Sequence, residues 1–156
     1  MATHAPSPAN AAFFADLVRS ETRLYNHFND ELRARHGITT SQYEFLHYIR
    51  DHDGARTTDM AAEFAIGVGA VSKAMDRLES RGLVVRLPNP ANRRSTIITT
   101  TDEGRAVVDA AETTFLHRLG EILADAATPE QLTAAGAVLT ALRRSLERAA
   151  VGVPAG

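Results

Sequence analysis

Arg93 and Arg94 stand side by side in Pro90-Ala91-Asn92-Arg93-Arg94-Ser95, between two short runs rich in β-branched residues. Guanidinium groups at the tip of a turn can grip phosphate oxygens or enter a narrow groove of negative potential. Lys73 (the only lysine), Arg77 and Arg86 precede them. From Gly67 to Thr100 there are six basic and two acidic residues, a local charge of +4 in a chain of net charge −2, so the rest sums to −6. A basic island in an acidic protein marks one face for a polyanion. On charge alone, a solvated charged helix beside an Arg-rich turn is an equally good reading.

The elements that must position these cations decide between the two. Thr57 to Ile66 reads as a short amphipathic helix. Gly67-Val68-Gly69 reads as a break, and Ala70 to Arg81 as a second helix closed by Gly82. Leu83 to Leu87 and Thr96 to Thr100 read as strands joined by residues 88–95. Helix, tight turn, helix and basic hairpin is an arrangement for reading double-stranded DNA. The start of the second helix would face base edges: Lys73 can reach guanine, Ser72 can donate or accept, and Val68 and Ala70 can touch thymine methyls. Arg77, one turn further, meets phosphate or forms an ion pair within its helix. Thr39, Thr57 and Thr58 begin helices, where their hydroxyls can bind phosphate or simply cap. Arg86, Arg93, Arg94 and Ser95 complete the expected DNA contacts, with the wing arginines ranked first.

The flanking sequence is helical. Asn10 can cap a helix over 10–36 with Phe13, Phe14, Leu17, Val18, Leu24, Tyr25, Phe28 and Leu32 at three- and four-residue spacings, stopped by Gly37. Thr39 with Gln42, or Ser41 with Glu44, forms a capping box for the next helix. Thr101 caps a helix from Asp102 to about Asp125. Thr128-Pro129-Glu130-Gln131 starts a final one reaching about Ala150. Residues 1–9 and 151–156 are expected to be flexible. The long helices over 10–36 and 102–150 each have an apolar stripe to bury, against one another and then against a second copy. A homodimer of that kind suits a palindrome with half-sites about 34–36 Å apart. The expected fold is mainly α with a small β-hairpin wing: a winged helix-turn-helix over 38–101 plus a helical dimerisation region.

Composition narrows the remaining classes. Of 156 residues 44% are hydrophobic and 23% charged, ordinary for a globular protein. Cysteine is absent, which excludes disulfides and thiolate chemistry within the chain. No apolar run approaches the roughly 18 residues of a membrane span, and the first residues lack a signal-peptide pattern, so a cytoplasmic location without membrane partners is expected. No nucleophile elbow, P-loop or Rossmann glycine pattern points to an enzyme. The six histidines form no strong metal-ligand spacing, so no metal or other cofactor is expected.

The run Leu78-Glu79-Ser80-Arg81-Gly82-Leu83-Val84-Val85-Arg86, the turn Pro90 to Ser95 and Thr101-Asp102-Glu103-Gly104 together resemble the MarR family of bacterial transcription regulators. The likeness implies a winged-helix homodimer on a palindromic operator, usually a repressor, often released by a small ligand. Family members carry more polar residues where this chain has Gly67, Val68 and Gly69, so weaker base readout and more dependence on DNA shape are expected. Asn92 replaces the usual wing Asp and supplies no charge to pair with an arginine, which implies a looser wing. The family's ligand crevice would be lined by Tyr25, Phe28, Tyr43, His47 and Phe64. Arg19, Arg23 or His27 would meet the carboxylate or phenol of a small aromatic acid. Two other readings compete: a constitutive DNA-binding dimer without effector, and a winged-helix protein–protein adaptor that no longer binds DNA.

Overall fold

Helix boundaries follow from local capping chemistry in this computed structural model, which describes residues 7–154. The first helix, α1 (Pro8–His36), begins at Pro8 rather than after Asn10, because proline's fixed φ suits a first helical position. The expected flexible tail therefore gives up Pro8 and Ala9 to helix, and residues 1–6 lie outside the described residues. Gly37, at φ 67°, ends α1 and donates its N–H to the Arg33 carbonyl at 3.1 Å. Of the two capping boxes open to α2 (Thr40–Asp51), the Thr39–Gln42 pair forms: Gln42 N–H donates to Thr39 Oγ1 at 3.2 Å and Thr39 N–H to Gln42 Oε1 at 3.0 Å.

The next helix, α3 (Thr57–Glu63), is shorter than the run to Ile66 that periodicity implied. Ala65 adopts a left-handed φ of 52°, and Ile66 N–H returns to the Ala61 carbonyl at 3.1 Å. That closes the turn between the helices, at the cost of about 1–2 kcal/mol for a non-glycine residue. The following helix, α4 (Val68–Ser80), starts two residues earlier than expected. Gly67 is its N-cap, and Gly69 lies in the first turn, where backbone N–H groups have no partner inside the helix anyway.

Strands β1 (Val84–Pro88) and β2 (Thr96–Thr100) pair antiparallel, with Val84 opposite Thr100 and Pro88 opposite Thr96. Ile98 N–H donates to the Ala55 carbonyl at 2.8 Å, tying the wing to the loop before α3. Thr101 caps α5 (Asp102–Ala126), and a Thr128–Gln131 box with Pro129 starts α6 (Pro129–Arg148).

One core unites these pieces. Phe28 and Leu32 of α1, Ile38, and Leu46 and Ile49 of α2 meet Met60 of α3 and Val71, Met75 and Leu78 of α4. Leu83, Val84 and Ile98 of the wing and Val108 and Ala111 of α5 close it. Each fully buried leucine or isoleucine contributes about 1.5–3 kcal/mol. α1 packs on α5, as their stripes implied. α6 differs: it buries none of its residues, and Val138, Leu139, Leu142 and Leu146 stay exposed.

Candidate nucleic-acid interface and ligand cleft

The apolar residues Val71, Met75 and Leu78 turn one side of α4 inward. The opposite side exposes Val68, Ala70, Lys73 and Arg77, and Ser72 is half-buried at its edge. Arg77 has no ion pair among the described residues, so its cation faces solvent rather than a helix neighbour. Arg86 departs from expectation. It lies within β1, and its guanidinium donates to Asp76 at 2.7 Å, to the Glu79 carboxylate and to the Ser72 carbonyl at 3.4 Å. Its backbone N–H adds a bond to Glu79 at 3.2 Å. Arg86 thus clamps the wing onto α4 and is not a free cation for phosphate.

The wing turn is built by amide side chains. Asn89 Oδ1 accepts from Ala91 N–H at 3.0 Å, and Asn92 Oδ1 accepts from Arg94 N–H at 3.0 Å. Asn89 Nδ2 donates to Ser95 Oγ at 2.8 Å, and that hydroxyl donates to the Asn92 carbonyl at 3.2 Å. Ser95 is therefore a turn residue first. Asn92 orders the backbone that presents Arg94 without needing a charge, so a neutral residue here does not by itself loosen the turn. Arg93 and Arg94 are exposed, with no side-chain partner among the described residues. Thr39 is engaged in its capping box. Thr57 and Thr58 do not cap α3; Arg56 holds the N-cap position, and Asp59 accepts from its backbone N–H at 3.1 Å.

A cleft of about 460 Å³ lies between α2, the end of α3 and α5. Tyr43, His47 and Phe64 line it as expected, joined by Glu44, Tyr48, His52, Glu63, Glu112 and Phe115. The other expected ligand residues lie elsewhere. Arg19 and Arg23 are exposed on α1. His27 sits 3.2 Å from Glu31, and Phe28 is core, its ring centroid 4.4 Å from that of Phe115. Tyr25 is half-buried outside the cleft. The cations meant for a carboxylate ligand are thus absent from the lining. Burial, reinforced by Glu112, pushes the Tyr43 hydroxyl up to about 12, so it stays a neutral donor. Among the described residues no three His, Asp or Glu side chains converge as a metal site.

Behind the cleft, Arg50 of α2 donates to Glu112 and Asp109 of α5, each at 2.7 Å, and to Asp51 at 2.7 Å. His47 adds a contact to Glu112 at 3.0 Å. The Arg50 guanidinium holds the Glu112 and Asp51 carboxyls below their ordinary range. A depressed carboxylate contributes stability that is complete above its unfolded-state pKa and is lost as pH falls through the folded one. Glu112→Gln is therefore expected to lower unfolding free energy by about 1 kcal/mol at neutral pH. The gap to the parent should close below about pH 4 in urea titrations run at stepped pH. A gap unchanged down to pH 3 would mean that the pair does not link folding to protonation.

The MarR family model matches residues 38–96, which hold the reading helices and the wing. An uncharacterized HTH-type transcriptional regulator of Bacillus subtilis, YdgJ, is 28% identical over 95 residues, 61% of this chain and 58% of that protein. The multiple antibiotic resistance protein MarR of Salmonella typhimurium is 28% identical over 91 residues, 58% of this chain and 60% of its own length. Over the whole fold, a MarR family transcriptional regulator of Streptomyces coelicolor, solved in complex with DNA, superposes with a TM-score of 0.85. The two are 22% identical over 97% of this chain and 96% of that one. Over residues 38–96 the chain is similar to the MarR family, and the whole fold is of the MarR type.

Its matches span only about three fifths of those two curated relatives' lengths. The MarR-type fold, mainly helical with a two-stranded wing, is the architecture read from the residues. Residues contributed by distant segments were missed. Glu63 and Glu112 carry no local motif, and Glu44 stands in sequence only as a partner for Ser41 in a capping box. Phe115 was legible as a stripe residue of α5, though nothing local aimed it at α2. Among the described residues no helix is long and apolar enough to cross a membrane.

Proposed function

We propose that this chain is a MarR-type, cytoplasmic, homodimeric DNA-binding transcription regulator, not an enzyme. It sits on a palindromic operator, represses, and is released by a small molecule bound in the α2–α5 cleft. One observation carries the DNA reading. Lys73 and Arg77 on the outward face of α4, and Arg93 and Arg94 at the wing tip, have no ion-pair partner among the described residues. Arg86 meanwhile fixes wing to helix. Exposed cations on a rigidly joined helix and hairpin supply phosphate contacts and groove insertion.

The dimer is supported by surface that one chain leaves unburied. Leu139, Leu142 and Leu146 run along α6, and Phe13, Phe14 and Val18 along the start of α1, all exposed. Apolar stripes of that extent mark an interface. Sedimentation should give a dimer, and Leu142→Arg should shift it to monomer and abolish tight binding to a palindromic duplex. Salt titration of duplex binding tests the function itself. Affinity should fall steeply with log salt, with a slope of about −0.9 per phosphate contacted. No binding even at low ionic strength would favour the adaptor reading.

A further inference from the structure

Resting on the effector reading above, we propose that the α2–α5 cleft takes an aromatic organic cation rather than an aromatic acid. Its lining offers four rings, Tyr43, Tyr48, Phe64 and Phe115, and three carboxylates, Glu44, Glu63 and Glu112, with no lysine or arginine. Glu112 is already paired with Arg50 at 2.7 Å and in contact with His47 at 3.0 Å. Glu44 and Glu63 have no ion-pair partner among the described residues, and burial raises the Glu44 carboxyl above its ordinary range. A bound cation favours the charged form of such a carboxylate, whereas a bound anion raises its proton affinity further.

The two imidazoles do not supply an anion site. His47 is held by Glu112 at 3.0 Å and by Asp51 at 3.5 Å. His52 donates through Nδ1 to the Tyr48 carbonyl at 2.8 Å, and its ring stacks on Tyr48 at 4.0 Å between centroids. Ring faces beside unpaired carboxylates attract ammonium groups by both cation–π and Coulomb terms. At about 460 Å³ the cleft admits a bicyclic molecule. Its far wall couples occupancy to the reading module. Phe64 is the C-cap of α3, directly before the left-handed Ala65 turn that leads into α4. A guest wedged between α5 and Glu63–Phe64 displaces α3 and α4 relative to the dimerisation helices.

The matched probes are naphthylmethyl-trimethylammonium and naphthaleneacetate, which share a ring and differ in charge. Full-length protein is titrated with each, reading ring fluorescence anisotropy, melting temperature and release of a labelled operator duplex. Tetramethylammonium chloride sets the ionic-strength baseline. The cation is expected to bind at least about tenfold more tightly than the anion and to release DNA. Glu44→Gln and Glu63→Gln, which preserve shape, should each weaken the cation about fivefold. Binding and release by naphthaleneacetate alone would overturn the cation assignment while leaving an effector site in place. Cation affinity unchanged in both Gln variants would also overturn it. Failure of both probes to bind at millimolar concentration would overturn the cation assignment and the effector reading together.

Discussion

Gly104→Ala is expected to destabilise the protein by about 3–5 kcal/mol, the largest loss foreseen for a single methyl group here. Gly104 is buried in the first turn of α5, and a Cβ there would sit 1.9 Å from the Leu83 carbonyl oxygen and 2.8 Å from its carbon. Those are backbone atoms, so no rotamer change relieves the overlap. Leu83 O accepts from Thr101 N–H at 3.1 Å, Thr101 Oγ1 donates to Gly82 O at 2.6 Å, and Gly104 N–H donates to Thr101 Oγ1 at 3.0 Å. Moving α5 away by an ångström or more breaks this stitching, which combines a helix cap and a buried backbone bond of about 1 kcal/mol each. Against a total stability of about 5–15 kcal/mol the variant should melt about 10 °C lower or more. The control is Gly120→Ala in the same helix, where a Cβ meets nothing within 4 Å. Helix propensity alone then predicts a gain of up to about 1 kcal/mol. Equal melting temperatures for the two variants would mean that α5 and the Gly82–Leu83 turn are not held in close contact.

The Gly104 contact illustrates what local sequence leaves unsaid. Thr39 with Gln42, Thr101, and Thr128 with Gln131 announce helix starts because capping is a matter of three or four consecutive residues, and each start stands where its cap placed it. The wing strands were equally legible, since β-branched runs flanking a Pro/Asn turn have few alternatives. The helix-turn-helix corner was not. Ala65 bears no mark of a left-handed residue, and its conformation is imposed by Met60 and Ala61 entering the core on one side of the turn and Val71 on the other. The status of each arginine was also beyond local reading. Arg86 and Arg94 look alike in sequence, yet Arg86 meets Asp76 and Glu79 only because β1 folds back along α4. The charge of the cleft depends on α2, α3 and α5 converging, which no spacing within one segment reveals.

That difference between Arg86 and Arg94 yields the second large effect. Arg94→Ala should weaken binding to an operator duplex about tenfold, and the Arg93→Ala/Arg94→Ala pair about a hundredfold, as expected for losing one and then two groove or phosphate contacts. Neither side chain has a partner within the described residues, so neither loss should lower melting temperature appreciably. The slope of log affinity against log salt should become shallower by about 0.9 for each phosphate released. Arg86→Ala should behave otherwise. It leaves Asp76 and Glu79 without their cation and unfastens the wing from α4. Affinity and stability should then fall together while the salt slope stays near the parent value. Duplexes with and without an A·T tract under the wing separate the two modes of contact for Arg94. A loss confined to the A·T duplex means insertion into a narrowed minor groove, and an equal loss on both means phosphate binding. Parental affinity and slope in the double variant would remove the wing from the interface and leave the cations of α4, Lys73 and Arg77 among them, to carry it.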